Sequence, residues 1–531
     1  MHKWLWIQKQ KKKETQPPRE YVKIHGTSEV FSANMHANLE EVDGIIGGNP
    51  DVVIRHFYIE VFQVNAAVVF IKGIADRERI HEQILKSIML HYRQASSEEK
   101  SKPVSPNKMK DAIKNLVLTV SDVKEVKNIE ECIMNIFIGE TALFIEGSDT
   151  VLILGTKDWP SRSIEEPISE ATVRGSREGF VENVLVNISL IRRRIRDPNL
   201  KMTNYTIGRR SQTPIVVMHM KDITNEKLLD EVKTRIESID IDQVPESGII
   251  EQLMEDDFLS PFPQILATER PDKVAQALLE GRVVVLVDGT PFVLVMPMTI
   301  ISILQSPEDY YERFFVGTLI RFMRIGAAFI SLFAPSLYVA LVSFHPGLIP
   351  SDLVISIAAS REGVPFPSIV EALMMEVTIE LLREAGVRLP KPIGQTVGIV
   401  GGLVIGEAAV SAGLVSAMMV IVVAVTAVSS FALPQYGVGI ALRILRFGMM
   451  LSAAFLGLFG IMMFAMIITI HLVKLKSFGV EYTAPLVPYQ FRDWKDALLR
   501  SPYRELTRRP DMLKPKESIR MKDRTSKWKG E

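Results

Sequence analysis

The 531-residue chain has one cysteine, Cys132. A single thiol excludes an intrachain disulfide and any cysteine-based zinc site, and it fits a reducing compartment. Net charge is absent as well, because 62 Lys and Arg balance 62 Asp and Glu. No phosphate-cradling loop occurs: there is no G-x-x-x-x-G-K-[ST] and no G-x-G-x-x-G after a strand. The nine histidines are scattered without an H-E-x-x-H pair, and no G-x-S-x-G elbow is present. An enzyme, a cofactor, a metal centre and a nucleic-acid partner are therefore not expected. The start, MHKWLWIQKQKKKE, carries Lys3, Lys9, Lys11, Lys12 and Lys13. It lacks the roughly 7–15-residue apolar core of a secretory signal, so the soluble part is expected in the cytoplasm. This end admits two readings, a lysine- and tryptophan-mediated lipid contact or a disordered soluble tail.

What the chain does have lies in its last third. Residues 325–344 are 20 positions without a charge, 393–433 are 41 with only Glu407, and 447–473 are 27 whose one ionisable group is His471. A hydrocarbon layer about 30 Å thick is crossed by about 20 helical residues. These runs predict a membrane domain over 311–475 with about four spans, 322–344, 393–411, 413–433 and 447–473, plus an acidic helix over 365–389. Beyond it, residues 474–531 carry 15 Lys and Arg against 8 Asp and Glu. Such an excess favours the cytoplasm. Four spans put the soluble part and the basic tail, 476–531, on that same side; five, with the acidic helix crossing too, would split the termini. With four, Arg443 and Arg446 fall on the other side, against the rule.

The first 310 residues read as α/β (α+β). A basic disordered tail over 1–35 precedes a first cytosolic subdomain over 36–160 and a second over 161–310. In the first, strands over 51–59 and 66–71 precede a helix over 76–90, with Ile80, Ile84 and Ile88 on one face. Gly147-Ser148-Asp149, between two apolar runs, signals a hairpin. In the second, Phe180, Val184, Ile188, Ile191 and Ile195 recur at helical spacing, predicting a helix over 177–195. Asp288-Gly289-Thr290 marks another hairpin.

Several residues carry possible chemistry. Gly398, Gly402 and Gly406 repeat every fourth position, a ridge on which helices pack closely within a bilayer. Glu407 follows that ridge. An ionisable group inside a span marks a pathway, a partner or a relay, unless it sits at the interface and is solvated. Glu376, Glu380 and Glu384 form a stripe four residues apart, with Glu371 upstream. In a symmetric oligomer the stripe would repeat as carboxylate rings that attract cations. On a surface-lying helix it would be a solvated face. Pro335, inside the first span, removes one backbone hydrogen bond and bends the helix, for gating or for packing. Arg174, Arg177, Arg192, Arg193 and Arg194 read as interdomain or interface ion pairs, or as an anion site.

Long motifs resemble the GerA family, the A subunits of bacterial spore germinant receptors. They are Glu166-Pro-Ile-Ser-Glu-Ala-Thr-Val-Arg174-Gly-Ser-Arg177-Glu-Gly-Phe180, Ser260-Pro-Phe-Pro-Gln264, Ala334-Pro-Ser-Leu-Tyr338, Ser360-Arg361-Glu-Gly-Val-Pro365 and Gly401-Gly402-Leu-Val-Ile-Gly406-Glu407. The likeness covers about residues 40–490. It implies two cytosolic α/β subdomains, a helical membrane domain, a cytosolic tail and residence in the spore inner membrane. It also implies partners: an amino-acid-transporter-like B subunit, a lipoprotein C subunit, and further copies of the chain as a pentamer that conducts cations. A paralogous branch, the stage V sporulation protein AF, shares the fold; Asn49-Pro-Asp51-Val-Val-Ile-Arg55 is more like the receptor branch. The competing expectation is a non-conducting scaffold that relays a partner's state to a separate channel.

Overall fold

The computed structural model describes residues 30–60, 63–91, 110, 122–157, 167, 170, 172–389, 401–402, 404–490 and 492–521. The expected disordered start falls almost wholly outside them, as do residues 393–400 of the second apolar run. Two compact units form: Met1–Trp159 with Arg196–Pro198, and Pro160–Ile195 with Asn199–Glu531. The sequence divides the chain at 310 and 475. In the fold the second sheet, the apolar helices and the tail make one unit.

In the first unit, Asn34 caps helix α1 (Met35–Ile46) by accepting from the His36 and Ala37 amides. Strands β1 (Val52–Ile59) and β2 (Val64–Ile71) follow. A helix then starts at Arg77 and becomes π-helical over Ile80–Leu85. Strand β3 (Val123–Val126), helix α2 (Ile129–Ile138) and strands β4 (Thr141–Ile145) and β5 (Val151–Leu154) complete it. The sheet is antiparallel, in the order β1-β2-β4-β5-β3. Side chains alternate across a strand. Ala67, Val69 and Ile71 pack with Leu39, Val42 and Ile136 on one face, and Ala66, Val68 and Phe70 with Ile80 and Ile84 on the other. Cys132 lies in the first of these cores, where burial pushes its thiol up and leaves it protonated.

The second unit opens with the same architecture. Helix α3 (Val184–Arg194) precedes β6 (Leu200–Ile207) and β7 (Thr213–Met220). Helices α4 (Glu226–Glu237) and α5 (Ser247–Met254), strand β8 (Leu266–Thr268), helix α6 (Pro271–Glu280) and strands β9 (Val283–Val287) and β10 (Val293–Met296) follow. The sheet order, β6-β7-β9-β10-β8, matches the first strand for strand. Local details repeat. Left-handed Gly139 and Gly281 close the helix before the fourth strand of each copy. Gly147 and Gly289, each eight positions further on, turn the following hairpin with positive φ. The amide of Lys72 donates to Asp51 and that of Lys221 to Asn199. The sheet-bearing half is thus a duplicated α-β-β-α-β-α-β-β module, with two helices, α4 and α5, between the second and third strands of the second copy.

Helix α3 starts later than the expected 177. The Phe180 amide pairs with the Glu269 carbonyl, and Asn187 bonds both backbone groups of Val181 with its side chain. That leaves the stretch before Asn183 extended, and Asn183 caps the helix.

Helix α7 (Phe314–Phe344) leaves the second sheet through a buried charge cluster. Asp309 accepts from Arg321 at 3.0 Å and from Arg324 at 2.8 Å, and Arg321 also meets Asp496 of the tail at 3.1 Å. The tail lies along the second subdomain. Ser477 donates to the Gln264 carbonyl, the Lys516 amide to Ile223 and Arg509 to Leu279.

After α7 come α8 (Ser351–Arg361), α9 (Ser368–Arg388), a helical segment over 404–411, α10 (Ala417–Phe431) and α11 (Tyr436–Lys474). The single crossing expected over 447–473 is replaced by a reversal. Gly457 has φ 61° and ψ −139°, a backbone outside the helical region. A Cβ on Gly448 would lie 2.6 Å from the Phe464 ring, although a straight helix would separate the two by about 24 Å. The segments 436–456 and 458–474 are therefore antiparallel arms. Their tip lies against Phe344 and His345 at the end of α7. At the other end, Gly437 meets Pro263 and His471 meets Ser260. The run 447–473 contains no Pro, Asn or Asp to signal a turn, so the sequence pattern hides this fold-back.

Two predictions follow from this architecture. Gly457→Ala puts an L side chain into a conformation it rarely adopts and against His345, and should lower the stability of the detergent-solubilised protein by about 1–3 kcal/mol, read as a shift in melting temperature. Burial, with Glu255 and Glu246 nearby, pushes the Glu251 carboxyl in α5 up to about 7. A raised carboxyl pKa gives stability that is complete below the unfolded value and lost as pH rises through the folded one. Glu251→Gln should therefore match the parent at pH about 4.5 and exceed it by up to about 2 kcal/mol above pH 7, in denaturant titrations at both pH values.

Candidate functional site

The acidic stripe of α9 is the richest ionisable feature among the apolar helices, and most of it is paired. Glu371 is fully buried. One oxygen meets Arg361 of α8 at 3.0 Å and the other accepts the Ser416 amide at 2.9 Å. Ser416 caps α10, so the carboxylate sits at the positive end of that helix. The Ser416 hydroxyl also lies 3.2 Å from Tyr338 Oη of α7. Four elements thus converge on one carboxylate.

One turn along, Glu376 pairs with Arg446 at 3.0 Å, both side chains 2% exposed. Glu380 bridges Arg383, at 3.0 Å, and Arg443. Arg383 also donates to Ser430 and lies over the Phe431 ring. Glu384 is exposed and held by Arg388 at 2.6 Å. Three arginines, 383, 443 and 446, surround two glutamates, 376 and 380. Within one chain the buried part of the stripe is therefore not a row of free carboxylates. The sequence reading missed the pairing with Arg443 and Arg446 because they come from an arm more than 60 residues downstream. The available signal was spacing: acids at i and i+4 face bases at i and i+3 on another helix. Arg443 and Arg446 also lie inside the bundle, not on the far surface that a span beginning at 447 assigned to them.

Glu407 differs. It is exposed, and no partner for it occurs among the described residues. Its neighbours Val404 and Ile405 are exposed as well, at 55% and 38%. Of the glycine ridge, Gly398 lies outside the described residues. Gly402 faces open space, whereas Gly406 is buried with its Cβ position 3.6 Å from Val420. Pro335 is buried within α7, which continues through it. The arginines near α3 join segments of the second subdomain: Arg193 and Arg194 pair with Glu178, and Arg174 meets Glu312 at 3.8 Å. Arg192 is fully buried, and Arg177 also engages a partner. The sequence reading missed Arg270, which is buried and ties Asp272, Thr172 and the carbonyls of Glu170 and Ser176 together.

This arrangement has known relatives. The family model "Bacillus/Clostridium GerA spore germination protein" matches residues 40–512. Spore germination protein GerLA of Bacillus cereus is 42% identical over 93% of this chain and 99% of its own length. Spore germination protein A1 of Bacillus subtilis (strain 168) is 45% identical over 78% of this chain and 88% of its own. An uncharacterized membrane protein of the same strain, YfkQ, is 43% identical over 90% and 91%. A crystal structure of the N-terminal domain of the A subunit of the Bacillus megaterium spore germinant receptor GerK3 matches 51% of this chain and 97% of that domain, at 32% identity and a TM-score of 0.39. The chain belongs to the GerA family of spore germination proteins.

Glu376→Gln should destabilise the bundle by about 3–5 kcal/mol, because it strands a buried guanidinium. Adding Arg446→Met should recover most of that loss. A double-mutant cycle on detergent-solubilised protein measures the coupling, and additive losses would show that the pair does not interact.

Proposed function

We propose that this chain is the A subunit of a nutrient germinant receptor in the spore inner membrane, and that copies of it assemble around a cation path. Its relatives' names support the germination role. Helix Phe314–Phe344, long and apolar enough to cross a bilayer, and the two apolar arms of α11, 436–456 and 458–474, support the membrane setting. The arms of α11 begin and end beside residues 260–263, which favours the soluble region and the tail sharing the cytosolic side. The partners are a transporter-like B subunit, which takes the nutrient, and a lipoprotein C subunit.

The observation that carries the conduction reading is Glu407. A carboxylate with no partner among the described residues, on an apolar outward face, is costly against lipid. Water or another subunit must cover it. A path lined by repeats of this face supplies both and attracts cations. In this reading Glu371, Glu376 and Glu380 brace the wall. Their pairing also gives the scaffold reading its support, since braced helices can anchor without conducting.

Potassium efflux from spores after nutrient addition separates the two. Glu407→Gln, with the protein present at parental level, should slow release or change the ion released. Unchanged efflux with Glu407→Gln, alongside lost efflux without the protein, would reject conduction through this face and leave the relay.

A further inference from the structure

The segment between α5 and β8 presents two large apolar side chains to the outside, Phe258 at 78% and Leu259 at 79% exposure. They belong to the second subdomain, whose other large apolar residues are mostly in its cores. The loop that carries them is held firmly. Gln264, fully buried, accepts from the Asp256 and Asp257 amides and donates to the Asp257 carbonyl. The Asp257 carboxylate accepts the Leu259 amide, and the Ser260 hydroxyl accepts that of Phe262. Asp256 is engaged by Arg235 and the Phe478 amide. The polar groups of the loop thus turn inward to fix it, and its apolar ones turn out.

Its place in the fold says what meets them. Ser260 Oγ lies 2.8 Å from His471 Nε2, and the Phe262 ring stacks on the His471 ring. Pro263 packs at Gly437. Both arms of α11 thus end at this loop. Phe258 is two residues from Ser260, within about 8 Å along the chain. On the returning arm, Ile467, Ile470 and Val473 are exposed apolar residues just short of Lys474. Tyr436, 65% exposed, starts the other arm. An aromatic ring and a lysine at helix ends mark the headgroup level of a bilayer.

We infer that Phe258 and Leu259 form a wedge that enters the headgroup layer of the membrane beside α11, so that the second subdomain touches the bilayer directly. This rests on the membrane reading of the apolar helices. The ligand is the lipid surface. Apolar side chains at this depth lose contact with water as a monotopic anchor does. Through His471 the wedge also sets the height of the subdomain against the helices.

Nitroxide labels test it in the full chain reconstituted in phosphatidylcholine–phosphatidylglycerol vesicles. Cys132 is the only cysteine and is buried, so the parent protein serves as the unlabelled blank. Labels are placed with Phe258→Cys and Leu259→Cys. Met466→Cys, on an exposed apolar position midway along the returning arm, reports the bilayer itself, and Arg210→Cys, on the β6–β7 turn, reports water. Relaxation by oxygen relative to a water-soluble nickel complex gives depth. The expected result is a several-fold higher oxygen-to-nickel ratio at 258 and 259 than at 210, and below that at 466. A ratio at 258 and 259 equal to that at 210, with 466 in lipid, overturns the wedge and keeps the membrane reading. Exclusion of both reagents means that protein covers the loop, which also overturns it. A water-like ratio at 466 would overturn the membrane reading itself.

Discussion

The junction between the sheet-bearing region and the apolar helices turns on one buried carboxylate, Asp309. It receives Arg321 and Arg324 from the first turns of α7, and its side chain has no exposure. Two guanidiniums against one acid leave a charge to be met, and Asp496 of the tail meets it. Burial pushes the Asp496 carboxyl up against the pull of Arg321, so the cluster holds its charges only while all of its parts are docked. The tail is therefore a foundation of the first helix. The same logic recurs inside the bundle, where arginines of α11 meet glutamates of α9. These two interfaces between elements distant in sequence are keyed by ion pairs, and apolar packing fills the space between them.

Much of the sheet-bearing half could be read from the chain. The hairpins at Gly147 and Gly289 were legible because a turn needing positive φ interrupts two apolar runs. The apolar face of α3 was legible from its period, but its start was not. The helical repeat continues back to Phe180, while tertiary hydrogen bonds from Glu269 and Asn187 hold that stretch extended. The duplication of the module went unread because its two copies share spacing and cap positions more than residues.

The candidate site was half legible. Its acids were visible because a charge in an apolar helix is conspicuous. Their partners were not, because pairing depends on how helices are placed side by side, which periodicity along one helix does not encode. The fold-back at Gly457 compounds this. Without it, Arg443 and Arg446 sit outside the bundle; with it, they reach α9. Glu407 was singled out on sequence grounds, and among the α9 and Glu407 carboxylates it alone stands without a counter-charge among the described residues.

That fold-back has a further consequence. The tip of α11 is one glycine resting on His345, and the other turns at that end, near residues 345–350, 362–367 and 412–416, are short. Within the second unit, the sheet and the tail lie at the opposite end. A small solute arriving from the tip side would find a low, almost featureless roof with little depth in which to be enclosed.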